Sequence, residues 1–310
     1  MEKEFKCVEE QIEILESRKL TIKNKDNAKN ILIDNNYYYL INGYKNLFIN
    51  KKSKDEKFIL GTDLNEIYYL YEFDRKMRII FLEYILLLER KLDTYIAYEF
   101  SKIHGYKEYL IPDNFNYINK NKEQINKFLN DINSEILHQH KNSNKMITHY
   151  LNKYKYIPLW VLIRILSFGK MSKFYSFMKQ REQNNIAKKF NIPSEILKVY
   201  LMNLGNVRNI CAHDEKLFDV ILRNRINITK YHRELGLARN SDGISAFATR
   251  DLFSIVIILK IMLGKEEFKK FYIVVINNIK NLQKELKSIS INKVLLKMGF
   301  PKRYKELLKM

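Results

Sequence analysis

The chain has 310 residues, 46% hydrophobic and 29% charged, the balance of a soluble globular protein long enough to bury a sizeable core in one large domain or two ordinary ones. Nine Gly and four Pro are too few for a turn-rich β fold, and two cysteines, Cys7 and Cys211, exclude a disulfide framework or a cysteine metal cluster. A net charge of +20 and a pI near 9.6 imply a polyanionic partner, RNA, DNA or an anionic membrane, with coding bias toward Lys, Asn, Ile and Tyr accounting for part of the lysine excess.

Charged Met1-Glu2-Lys3-Glu4 opens the sequence without an apolar signal region. The longest apolar run, Leu252 to Leu263, contains Lys260 and is too short to span a bilayer. A cytoplasmic location without membrane attachment is therefore expected.

In chain order, Phe5, Val8, Ile12 and Leu15 fall at three- and four-residue steps and predict a helix over 5–20. A second helix is expected from Asp26 into Tyr37-Tyr38-Tyr39-Leu40, interrupted at Gly43, with a solvated loop over 51–57. Thr62 or Asp63 caps a long helix running to about Phe100 with at most one break; Arg78, Glu83, Glu89 and Arg90 are its polar exceptions, which form ion pairs or line a site. An amphipathic helix lies within 116–145, and His138 and His140, two apart on its polar tail, do not face one another as metal ligands would. Pro158 starts a mostly buried helix over 159–168, closed by Gly169, with Ser172 opening the next. Asn191-Ile192-Pro193-Ser194-Glu195 starts another, and Leu217, Phe218, Ile221 and Leu222 follow it over 214–235. Ser241-Asp242-Gly243 reads as a loop, 247–264 and 266–288 as helices, and 291–310 as a short basic tail. No strand alternation persists and no fixed-period repeat occurs, so the expected fold class is all-α.

The helix that begins near Pro193 carries Arg208-Asn209-Ile210-Cys211-Ala212-His213. Asn209 and His213 are i and i+4 and share a face, so the amide can orient the imidazole. Arg208 lies about 140° around the helix from His213, and the two serve one cleft only if a second surface closes over both. Histidine moves protons near neutral pH and a guanidinium stabilises the charge of a phosphorane-like transition state, a set suited to cutting a phosphodiester without metal. The bland alternative is an arginine that caps a neighbour beside a satisfied core histidine. Cys211 reads as a small buried filler rather than a nucleophile. A looser pair, Arg225 and His232, lacks a polar residue after the arginine and reads with Arg223 as a basic face.

The motif resembles the Arg-(Asn/Asp/His)-x3-His signature of HEPN ribonuclease domains, and its surroundings resemble the Abi-like abortive-infection proteins of the AbiD and AbiF group. The likeness covers nearly the whole chain: Glu10-Gln11-Ile12-Glu13-Ile14-Leu15, Tyr37-Tyr38-Tyr39-Leu40 with Gly43-Tyr44, Leu70-Tyr71-Glu72-Phe73-Asp74-Arg75-Lys76-Met77-Arg78, His149-Tyr150, Pro158-Leu159-Trp160-Val161-Leu162, Leu166-Ser167-Phe168-Gly169, Ser172-Lys173-Phe174-Tyr175 and Met298-Gly299-Phe300-Pro301. Two positions depart from the family pattern. Asp93 stands one turn after Glu89, where a basic residue is usual, and Arg164 stands where an acidic residue is common.

The resemblance implies a single domain over 1–310: a HEPN-type helical bundle at 61–235, an N-terminal helical extension at 1–60, and C-terminal helices with a basic tail at 236–310. It implies an antiphage endoribonuclease that uses no metal or other cofactor. Arg208 would steady the phosphorane, His213 would act as acid or base, and Asn209 would position the histidine or the scissile phosphate. Arg78 and Glu89 are the candidate supporting residues. It further implies a homodimer, because such sites are built from two motif-bearing helices and this chain has one credible copy. RNA is the expected substrate, and a small structured noncoding RNA the expected regulator, held by salt-sensitive phosphate contacts. Two other functions fit the residues: a non-catalytic RNA-binding module, and a component of a defence system that senses a phage protein.

Overall fold

The structure, a computed structural model, describes residues 4–237 and 248–310. The helices in order are α1 (Val8–Ser17), α2 (Lys25–Asp34), α3 (Leu64–His104), α4 (Lys122–Lys141), α5 (Lys145–Tyr154), α6 (Leu159–Leu162), α7 (Phe168–Phe177), α8 (Gln180–Lys188), α9 (Ser194–Ala212), α10 (Lys230–Glu234), α11 (Leu252–Met262), α12 (Lys265–Glu285) and α13 (Ile291–Lys297). Short turns of π or 3-10 helix cover Tyr38–Asn42, Lys45–Leu47, Pro112–Asn114, Ile163–Ile165 and Tyr304–Leu308. Among the described residues there is no β-strand, only isolated bridges joining Thr21 to Asp63 and Ile49 to Phe58. The all-α expectation holds.

The axis of the bundle is α3, unbroken for 41 residues and about 60 Å long. Asp63 caps it: its Oδ1 accepts from the Asn65 N–H at 2.8 Å, while Glu66 Oε1 accepts from the Asp63 N–H at 3.3 Å. Leu70, Phe73, Met77, Phe81, Ile85, Leu88, Leu92, Ile96 and Phe100 recur at three- and four-residue steps and are all buried, forming one stripe along its length. Helices α9 and α12 pack along α3, and α11 joins all three. Buried on nearly every side, α11 explains the apolar run from Leu252: it is a core helix. No helix among the described residues is long and apolar enough to cross a membrane.

Several boundaries differ from the sequence expectation. Phe5 is 89% exposed and lies outside α1, because the apolar step continues into the chain's unpacked start. The second helix stops at Asp34 and the chain re-forms a π turn at Tyr38–Asn42, whose start Asn36 caps by accepting from the Tyr38 and Tyr39 N–H groups. Over 159–177 the break falls at Leu166-Ser167: Ser167 Oγ accepts from the Lys170 N–H, so Ser167 opens α7 and Gly169 sits inside its first turn. Residues 291–310 are no loose tail. Val294, Met298, Tyr304 and Leu307 are buried, and Glu66 at the start of α3 accepts from the Lys287 and Ser288 N–H groups at 2.6 and 2.8 Å. The expected loop at 241–243 and the first residue of the expected 247–264 helix lie outside the described residues.

Gly299 explains part of this docking. Its φ is +74°, and a Cβ there would lie 1.9 Å from Asp251 Cγ. Asp251 in turn holds the start of α11, with Oδ1 accepting from the Ser254 N–H and Oδ2 from the Ala248 N–H, and the Phe253 N–H donates to the Met298 carbonyl. Gly299→Ala is expected to cost more than about 3 kcal/mol, because strain adds to a clash with a buried cap. Gly236→Ala, at φ +64° with its nearest neighbour 3.7 Å away, should cost only the conformational penalty of about 1–2 kcal/mol. Equal losses in a denaturation series would show that the Asp251 contact does not matter.

Candidate functional site

Helix α9 starts after Pro193, and Leu197, Tyr200, Leu201, Leu204, Val207 and Cys211 form its buried face. Gly205 lets it approach α7: a Cβ there would meet Phe168 Cδ1 at 3.0 Å, and Phe168 is itself buried. Burial raises the Cys211 thiol to about 12, which leaves it a packing residue. The helix ends at the motif. The His213 N–H donates to the Asn209 carbonyl at 2.9 Å, Asp214 takes a left-handed φ of +58°, and the Glu215 N–H donates back to the Ile210 carbonyl at 3.0 Å.

The structure thus places Arg208 and Asn209 near the end of α9 and His213 at its C-cap. Asn209 and His213 are exposed, and no side-chain hydrogen bond joins them among the described residues. Arg208 is half-buried on the α3 side, its Nε 3.8 Å from Glu89 Oε2, a charge contact too long for a hydrogen bond. His213 opens instead onto a pocket of about 380 Å³ shared with the segment after α2 and with Tyr71. The arginine and the histidine therefore flank the helix end, each beside a different neighbour.

Both candidate supporting residues on α3 reach the motif. Glu89 faces Arg208; burial pushes its carboxyl up against the opposing pull of Arg208, Arg164 and Arg90. Arg78 is 2% exposed, donates from Nη2 to Asp214 Oδ1 at 2.5 Å, and so fixes the residue next to His213. From Nη1 it donates to Asp74 Oδ2 at 2.8 Å. The same Asp74 oxygen accepts from Tyr44 Oη at 2.8 Å and from the Leu217 N–H at 3.0 Å. Burial works against the Arg78 charge, yet Asp74, Tyr44 and Asp214 together hold its pKa above the ordinary guanidinium value. Sequence reasoning missed Asp74 and Asp214. The i,i+4 spacing of Asp74 and Arg78 was the available signal. Glu83 and Arg90, grouped with them by sequence, are solvent-exposed.

The two departures from the family pattern meet each other. Arg164 Nη1 donates to Asp93 Oδ2 at 3.1 Å, one turn along α3 from Glu89. The looser pair does not form a basic face. His232 is buried, its Nε2 bonded to the Ala248 carbonyl at 2.8 Å and its Nδ1 accepting from the Thr229 N–H, because the short α10 turns its ring inward while Arg223 and Arg225 stay exposed. His138 and His140 are exposed on α4.

Asp93 gives a pH test of the region. Its carboxyl is raised from 3.8 to about 7, by burial first and by the Glu89 charge second, against the pull of Arg164. The folded chain keeps this proton where the unfolded chain has lost it. The contribution to stability is thus full below about pH 4 and lost as pH rises through about 7. Asp93→Asn cannot ionise, so between pH 5 and 8 its Tm should gain on wild type by about 2–4 °C. Parallel Tm curves for the two proteins would contradict the raised carboxyl.

A family model described as Abi-like protein matches residues 30–219, an interval that includes α3, α9 and every residue of the Arg208–His213 region. No curated protein and no solved structure matches the chain. Membership carries with it the defence role for which the family is named. On the strength of that match, over more than half of its length, the chain belongs to the Abi-like family of abortive-infection proteins.

Proposed function

We propose that the chain is a metal-independent endoribonuclease of the HEPN type, acting in abortive infection at a site shared by two copies. The observation that carries this is the state of the last turn of α9. Arg208 is held by charge against Glu89, yet none of its nitrogens makes a hydrogen bond among the described residues. His213 and Asn209 meanwhile face solvent. By contrast Arg78, on the same side of the bundle, is fully engaged in structure. A guanidinium with uncommitted donors and an exposed imidazole on either side of one helix end are what a scissile phosphate requires once a second surface closes over both.

The reaction follows from these groups. A base takes the proton from a ribose 2′-hydroxyl, the 2′-oxygen bonds to the adjacent phosphorus, and the bond from phosphorus to the 5′-oxygen breaks. An acid returns a proton to that 5′-oxygen, leaving a 2′,3′-cyclic phosphate and a 5′-hydroxyl. Arg208 donates to the non-bridging oxygens as their charge grows, and Asn209 holds the phosphate or the imidazole. The step needs an acid and a base, and the pocket at His213 holds one histidine. A two-fold related copy supplies the other.

The surface that would meet that copy runs along α9. Val199, Met202, Asn206, Asn209 and His213 alternate at three and four residues, and from Met202 onward these residues are exposed. Pairing two such stripes brings both His213 residues to the shared axis and closes a second wall over each Arg208. The +20 charge favours RNA as the polyanion bound.

Arg208→Ala and His213→Ala are each expected to lower RNA cleavage by at least about 10²-fold while Tm stays close to wild type. A chelator should leave the rate unchanged. Cleavage by His213→Ala would remove the histidine from the chemistry, and loss of activity in EDTA would remove the metal-independent route. Met202→Glu, which places a charge in the centre of the α9 stripe, should sediment as a monomer and lose cleavage together with the dimer. A monomeric variant that still cuts RNA would sink the shared site.

A further inference from the structure

The pocket beside His213 is built from side chains whose hydrogen-bonding groups are left over. It lies between the last turn of α9, the segment Asn35–Leu40, and Tyr71 on α3. Asn35 donates from Nδ2 to the Ile31 carbonyl at 2.8 Å, which leaves its Oδ1 as a free acceptor. Asn36 uses Oδ1 to accept from the Tyr38 and Tyr39 N–H groups at 2.9 and 3.3 Å, which leaves its Nδ2 as a free donor. Tyr39 Oη is buried and has no hydrogen-bond partner in the described structure. A buried hydroxyl without a partner is costly and rare, and a ligand edge that completes it is the natural remedy. Tyr38 is 70% exposed at the same place and offers an open ring face.

The charges around the pocket decide which part of a nucleotide enters. Asp34 and Asp214 sit in its lining, so a phosphate is repelled from it, whereas Arg208 and the lysine-rich surface attract phosphate outside. What fits is flat, uncharged, and carries both donors and acceptors on its edge. A nucleobase has all three properties, and stacking on tyrosine together with edge hydrogen bonds is the usual way proteins read a splayed-out RNA base. About 380 Å³ accommodates one base with its ribose.

We propose that this pocket is a nucleobase subsite that selects the nucleotide flanking the cleaved bond. Tyr38 stacks on the base, and Asn35, Asn36 and Tyr39 read its edge while His213 reaches the phosphate. The proposal deepens the ribonuclease assignment and rests on it for the word cleaved, but the binding of a base stands by itself. Burial and the nearby Asp214 charge, which raise the Tyr39 hydroxyl, keep it a protonated donor at neutral pH. The segment's sequence, two asparagines followed by three tyrosines, supplies these groups at the one place where α2 ends and the chain turns toward α3.

Two measurements test it. In the first, the four nucleoside 3′-monophosphates and ribose 5-phosphate are titrated against the full chain, Tyr39→Phe and Asn36→Ser. The serine keeps an oxygen able to cap the Tyr38 turn but removes the amide donor. At least one nucleotide should bind about tenfold tighter than ribose 5-phosphate, and each variant should lose most of that margin. If no nucleotide exceeds ribose 5-phosphate, or if both variants bind as wild type does, the subsite is disproved whatever the enzyme does. In the second, a randomised RNA pool is digested and the fragment ends are sequenced. Wild type should prefer one base beside the cut, and among whatever cuts Tyr39→Phe still makes that preference should be flattened. A preference unchanged in both variants would also overturn the subsite. A wild-type protein that binds a nucleotide but cuts no RNA would overturn the ribonuclease assignment and leave the base pocket standing.

Discussion

Two charges one turn apart on α3 hold the end of α9 in place. Asp74 and Arg78 share a face of the long helix and are almost completely buried. Together they bind the chain at Asp214 and Leu217, immediately past His213. Removing one member of such a buried set typically costs about 3–5 kcal/mol, since the other is left without compensation. That energy is concentrated on four residues of loop. Asp214 sits in a left-handed conformation that a non-glycine residue adopts only at some cost, and Arg78 holds it there. The backbone just past His213 is thereby anchored, while the histidine itself stays exposed.

The two arginines near the motif differ in their hydrogen bonds. Arg78 makes bonds at both terminal nitrogens to carboxylates and is shielded from solvent. Arg208 faces Glu89 at 3.8 Å, close enough for Coulomb attraction to orient it and too far to spend a donor. Had Glu89 approached to 2.8 Å, Arg208 would be another structural ion pair. The distance, more than the residue type, separates a guanidinium spent on structural hydrogen bonds from one that makes none among the described residues.

Much of this was legible in the sequence, and the failures have common causes. The Asp63 cap, the apolar stripe of α3 and the start of α9 at Pro193 could be read because each is a local signal of capping or period. Ser167 was passed over because Gly169, two residues on, looked like a stop; only the Ser167–Lys170 hydrogen bond reveals a start. The C-terminal stretch read as a tail because its lysines outweigh Val294, Met298 and Leu307, whose burial depends on Gly299 admitting Asp251. That Arg208, Asn209 and His213 lie together late in one helix was readable from the sequence, and their proposed role came from the family resemblance, whereas Asp74 and Asp214 acquire meaning only when α9 runs back along α3. Tyr39 was visible as part of an aromatic string. That its hydroxyl would be buried without a partner was not, since that is a property of three segments meeting.

Charge balance along α3 links these pieces. Glu89 and Asp93 are one turn apart, both acidic, and each is answered by an arginine from a different element, Arg208 from α9 and Arg164 from the turn after α6. Burial first, and then repulsion between like charges at i,i+4, pushes Asp93 to about 7 while Arg164 pulls it back. Arg164 thus pairs with Asp93, which stands as a second acid one turn from Glu89. Glu89 holds the Arg208 guanidinium to α3 by attraction at a distance, with no hydrogen bond consumed. An arginine restrained in this way is positioned by a charge on α3 rather than by hydrogen bonds within its own helix.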